Sequence, residues 1–111
     1  MKFTFTEENR PAITSAFYYA DNEGFGGEFK GFNKLFDKIN NFKTSSVELS
    51  RAEQSCMAQV LMAYFNDLDN TREMSNAYQN NPAVKEITDK HYTIVKKLIK
   101  NFDNIFFYEK N

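Results

Sequence analysis

Every glycine of this 111-residue chain lies between positions 24 and 31, as Gly24, Gly26, Gly27 and Gly31. Glycine alone enters left-handed backbone without steric cost, so one short stretch holds the freedom to bend sharply. The same stretch is flanked and interleaved by aromatic residues: Phe17, Tyr18, Tyr19, Phe25, Phe29 and Phe32. Large rings serve burial or binding equally well. The segment is therefore either a bent linker pinned into a core or an aromatic loop that grips a partner, and solvent exposure of Phe25 separates the two.

Outside that stretch the pattern is helical. Apolar residues Ala12, Ile13, Ala16, Phe17 and Ala20 recur at helical spacing and predict a first helix from Asn9 to about Ala20, with Pro11 tolerated in its opening turn. A second helix follows from Phe32, Leu35, Phe36, Ile39 and Phe42, and a third from Cys56, Val60, Leu61, Tyr64, Phe65 and Leu68. Three hydroxyl residues precede charged first turns, at Thr6, Ser50 and Thr88, and Ser50 with Glu53 completes a capping box. They predict helix starts. Thr71 to Asn80 reads as a short polar helix presenting Met74, Ala77 and Tyr78, broken by Asn80-Asn81-Pro82. A last helix is expected from Thr88, burying Tyr92, Val95, Leu98, Ile99 and Phe102. Residues 2–5, 47–49 and 105–108 alternate or lose helical phase and are candidates for a small sheet. The expected fold is all-α, a compact single helical domain over residues 1–111 with four to five short helices.

Bulk properties narrow the function classes. With 41% apolar residues, twelve Phe, six Tyr and no Trp, the chain has enough burial for one aromatic-rich core. Fourteen basic against fifteen acidic residues give a net charge of −1, which supplies no global drive toward nucleic acid or anionic lipid. The single cysteine, Cys56, rules out an internal disulfide and fits a reducing compartment. No apolar run approaches the roughly 20 residues of a membrane span, and Glu7-Glu8 interrupts the N-terminus before a signal-peptide core develops. The cytoplasm is the expected location.

Reactive chemistry finds no centre. His91 is the only histidine, and Cys56 lies on an apolar helical stripe, so both read as structural residues. One His and one Cys do not make a zinc site. Asp21-Asn22-Glu23-Gly24 opens like a calcium loop, yet its twelfth position is Phe32, where a bidentate Glu belongs. Gly24 to Gly27 has neither a preceding apolar strand nor a following Lys-Ser/Thr, and Glu23 and Glu28 carry the wrong sign for a phosphate cradle. The carboxylate pairs Glu7-Glu8 and Asp67/Asp69 are explained by capping and loop contexts. No catalytic residue, cofactor or metal is expected.

What remains is surface. Aromatic residues enrich interface centres, and charged rims steer association. Tyr18, Tyr19, Phe25 and Phe29 are the candidate anchors for another protein, rimmed by Asp21, Glu23 and Glu28. The alternative is nucleic-acid binding through lysine faces, chiefly Lys96, Lys97 and Lys100, with Lys30, Lys34, Lys38 and Lys43 as a second basic row. Only three arginines exist, each in an acidic neighbourhood, which disfavours that alternative. A third class is a homo-oligomeric structural protein. In style rather than alignment, a short domain rich in Asn, Lys and Phe and lacking catalytic residues resembles the accessory proteins that phages make to inhibit or redirect a host enzyme or defence complex. The resemblance implies a non-enzymatic inhibitor or adaptor.

Overall fold

The computed structural model describes residues 1–41 and 45–102. Lys2–Thr4 (β1) and Ser46–Glu48 (β2) pair antiparallel, with Phe3 opposite Val47. The pairing extends past both ends through Leu49 N–H to Met1 O at 2.7 Å and Phe5 N–H to Ser45 O at 2.8 Å. Because strand side chains alternate, Phe3 and Phe5 face inward while Lys2 and Thr4 face water. Two of the three segments expected to form a sheet do so; residues 105–108 lie outside the described residues.

Among the described residues five α-helices follow: α1 (Arg10–Asn22), α2 (Phe32–Ile39), α3 (Arg51–Met74), α4 (Asn76–Asn80) and α5 (Pro82–Ile99). The fold is all-α with a minor two-stranded sheet. The lead-in to α1 is locked by a reciprocal pair, in which Thr6 N–H donates to Asn9 Oδ1 at 2.8 Å and Asn9 N–H donates to Thr6 Oγ1 at 2.9 Å. The buried stripe of α1 is Ala12, Ile13, Ala16, Phe17 and Ala20, as expected. Helix α2 stops at Ile39, short of the expected Phe42, which lies outside the described residues.

The capping box predicted at α3 is present. Glu53 N–H donates to Ser50 Oγ at 3.2 Å, and Ser50 N–H donates to Glu53 Oε1 at 3.0 Å. Replacing Ser50 by Ala is expected to lower stability by about 1 kcal/mol, measured by urea unfolding, whereas Ser50→Asp, which keeps an acceptor, leaves most of that stability in place.

Two boundaries differ from the sequence reading. Helix α3 runs on through Asn66, Asp67, Asp69 and Asn70 to Met74, because Leu68 continues the buried stripe of Leu61 and Tyr64 and outweighs the weak helix propensity around it. The short polar helix is accordingly only α4, and of the three residues it was to present, Tyr78 is buried while Ala77 is exposed and Met74, now in α3, is 79% exposed. Helix α5 begins at Pro82 rather than Thr88. Asn81 both ends α4, as expected, and caps α5, accepting from Ala83 and Val84 N–H at 3.0 and 3.4 Å, and Pro82 occupies the first turn, where its missing N–H costs nothing. Thr88 is therefore a buried mid-helix residue. The buried stripe is Thr88, His91, Ile94, Val95 and Leu98, with Tyr92 and Ile99 half-buried beside it and Phe102 closing the core from a following 3-10 turn.

Helix α3 is the central element, with α1, α2 and α5 packed around it. Ile13, Phe17, Phe32, Leu35, Met57, Val60, Leu61, Val95 and Phe102 fill one contiguous core. The sheet covers one end through Phe3, whose ring stacks on Phe102 at 6.1 Å.

Candidate protein-binding face

Helix α1 ends at Asn22, and Gly24 at φ +79° turns the chain into a 3-10 turn at Phe25–Gly27; Gly31 at φ +80° then starts α2. At both glycines the left-handed backbone is the requirement, since a side chain there would meet nothing within 4 Å. The glycine segment is thus a linker with two conformational pivots.

Its rings are divided between core and surface. Tyr19 lies half-buried between Phe25, at 6.0 Å, and Tyr64, at 5.8 Å, and Phe25 stacks on Phe29 at 6.0 Å. Phe25 and Phe29 are themselves half-buried against the core. Tyr18, one residue earlier and therefore about 100° around the helix, stands apart. It is 50% exposed and rests edge-on against half-buried Phe36 at 5.2 Å. The structure therefore brings Tyr19, Phe25 and Phe29 together as a row and sets Tyr18 on Phe36 as a second group.

Asp21, Glu23 and Glu28 are all exposed. Glu23 also acts on Asp67 of α3: burial first, and then the Glu23 charge, raises the Asp67 carboxyl above the ordinary range. Burial followed by the Asp67 and Glu23 charges raises the Tyr19 hydroxyl likewise. Asp67 and Phe36 are the members of this face that the sequence reading left out. Asp67 follows Tyr64 by three residues, a spacing that sets both on one helical face.

Comparison with protein-family models, curated proteins and solved structures returns no match.

Beneath the face lies a buried polar chain. The Tyr64 hydroxyl is 2.8 Å from His91 Nδ1 and also hydrogen-bonds the Ser15 side chain; burial foremost pushes the Tyr64 group up to about 12. Burial and then the Lys90 charge lower the His91 imidazole below its ordinary value. Cys56 is buried, and its thiol is pushed up to about 11, mainly by burial, which keeps it protonated and unreactive. Both residues thus sit in packing roles. Among the described residues no group of three His, Cys, Asp or Glu side chains is placed to hold a metal ion, and no helix is long and apolar enough to cross a membrane.

The lysines of the alternative face are exposed, but they diverge. Lys96 turns toward Tyr92, its ammonium 6.0 Å from the ring, whereas Lys97 lines a shallow hollow shared with Glu8, Asn9 and Ile94 near the start of α1. Lys100 follows in the terminal 3-10 turn. A carboxylate in the same hollow weakens the positive field that a phosphate backbone requires.

Proposed function

We propose that this chain is a cytoplasmic, non-enzymatic protein-binding module that inhibits or redirects its partner through the aromatic and acidic face at the end of α1. The observation that carries this reading is the exposed Tyr18 seated on Phe36, in the same segment as the Tyr19-Phe25-Phe29 row and as the exposed carboxylates Asp21, Glu23 and Glu28. Rings held by packing lose little entropy on binding, and an acidic rim selects a basic partner surface and speeds encounter. The divided lysines make nucleic acid the weaker alternative.

The half-burial of Tyr19, Phe25 and Phe29 decides how the face should be tested, since truncating them disturbs the fold as well as the surface. Tyr18→Ala combined with Glu23→Lys and Glu28→Lys changes exposed positions only. Affinity capture from host lysate, quantified by mass spectrometry for wild type and the triple variant side by side, is expected to show a specific partner depleted at least about tenfold by the substitutions. Equal recovery of every partner by both proteins, with circular dichroism unchanged, sinks the proposed face.

A further inference from the structure

An enclosed basic surface lies beyond the glycine linker, between α2 and the first turn of α3. Lys30, Lys34 and Lys38 line a hollow of about 330 Å³ together with Ser50, Ala52 and Glu53. The three lysines recur every fourth residue, so Lys34 and Lys38 lie one helical turn, about 6 Å, apart along the wall. Lys30 and Lys34 are exposed and form no ion pair among the described residues, whereas Lys38 pairs with the Glu53 carboxylate. Three lysines and one carboxylate thus line the hollow, and that carboxylate is already engaged by Lys38. The Glu53 pKa is held below the usual range, first by the hydrogen bond from Lys38 and then by that from the Ser50 backbone. The floor, formed by the opening turn of the 24-residue α3, adds a partial positive charge of the same sign.

We propose that this hollow binds a small molecule carrying two linked phosphate groups, of the nucleoside diphosphate class. The hollow falls in the size range of small-ligand sites. Lysine ammonium groups act as point charges that suit compact polyanions, whereas planar carboxylate recognition favours arginine, which does not line this hollow. Linked phosphates span the one-turn separation between neighbouring lysines, and a ligand phosphate can take Lys38 from Glu53. The two flanking carboxylates that exclude phosphate from the Gly24–Gly27 turn are replaced here by three lysines and the single Glu53, whose charge Lys38 offsets. The site is independent of the protein-binding face.

Pyrophosphate is the simplest probe. Titrated into the full-length protein at constant ionic strength and followed by amide NMR, it is expected to give saturable shifts confined to residues 30–38 and 50–54. Lys30→Ala with Lys34→Ala should weaken binding about tenfold or more. Glu53→Gln should strengthen it severalfold, because glutamine still caps the Ser50 amide while the competing charge is gone. The opposite signs guard against misreading a folding defect, and thermal unfolding of each variant checks it directly. Shifts that do not saturate, or identical affinities for all three proteins, overturn the proposal. So does a single-stranded oligonucleotide that competes for the hollow and binds more tightly than pyrophosphate, which assigns the surface to nucleic acid instead.

Discussion

Phe17→Ala is expected to cost about 3–5 kcal/mol of folding stability, while Tyr18→Ala, one residue away, costs about 1 kcal/mol. Phe17 is completely buried, and its ring meets Phe32 and Phe36, both at 5.6 Å, so one side chain ties α1 to α2 across the glycine linker. The linker itself supplies little cohesion, because two of its residues hold left-handed backbone and its own rings are only half-buried. Truncating Phe17 leaves a void lined by residues that cannot all close over it, and the lost transfer energy adds to the cavity term. Small domains have roughly 5–15 kcal/mol in hand, so the variant should unfold at a far lower urea concentration. Tyr18 keeps half its surface in water and loses mainly an edge-on contact with Phe36. A Phe17→Ala midpoint within error of wild type shows that α2 is held by something else. The contrast also supports the binding test, since it identifies Tyr18 as a position that can be truncated in a folded protein.

Where short-range chemistry and long-range packing agree, the elements were readable from sequence. The α1 stripe repeats at helical spacing, Ser50 and Glu53 cap each other, and Phe3 and Phe5 alternate with polar neighbours, so local rules suffice. Errors arose where one residue carries two meanings. Asn-Pro breaks a helix that precedes it and starts a helix that follows, and Asn81-Pro82 does both, whereas the sequence reading used only the first sense and placed the next start at Thr88. Val95, Leu98 and Phe102 are buried as expected, with Tyr92 and Ile99 half-buried, but the start of the α5 stripe escapes the sequence because Thr88 and His91 do not resemble core residues. Their burial depends on a partner from another helix, in the case of His91 the Tyr64 hydroxyl. The binding face divides in the same way. Its exposed carboxylates lie in the glycine region that the sequence singles out, whereas the separation of Tyr18 from Tyr19 and the arrival of Asp67 and Phe36 are products of helix packing.

The buried Tyr64–His91 pair predicts that the protein loses stability as the pH falls through the ordinary histidine value of 6.5, ahead of general carboxylate protonation. Above the ordinary histidine value of 6.5 the imidazole is neutral in both folded and unfolded chains, and the neutral ring shares a hydrogen bond between Nδ1 and the Tyr64 hydroxyl in a site only 6% exposed. As the pH drops through 6.5, the unfolded chain takes up a proton while folded His91, its proton affinity lowered by burial and by Lys90, does not. The unfolded state binds more protons, so stability falls with pH from 6.5 down to the folded value and is fully present only above 6.5. Glu53 acts in the same direction at lower pH, losing its contribution as the pH falls below 4.5, whereas the raised Asp67 carboxyl acts in the opposite sense, contributing most below 3.8. His91→Gln should therefore remove the part of the dependence that begins below pH 6.5, leaving that of the two carboxylates. Tyr64→Phe should instead lower stability by about 1–3 kcal/mol at neutral pH, because it leaves the buried Nδ1 without its hydrogen-bond partner. Urea unfolding of the three proteins on both sides of pH 6.5 separates the two effects, and a slope that persists undiminished in His91→Gln assigns the proton uptake to another group.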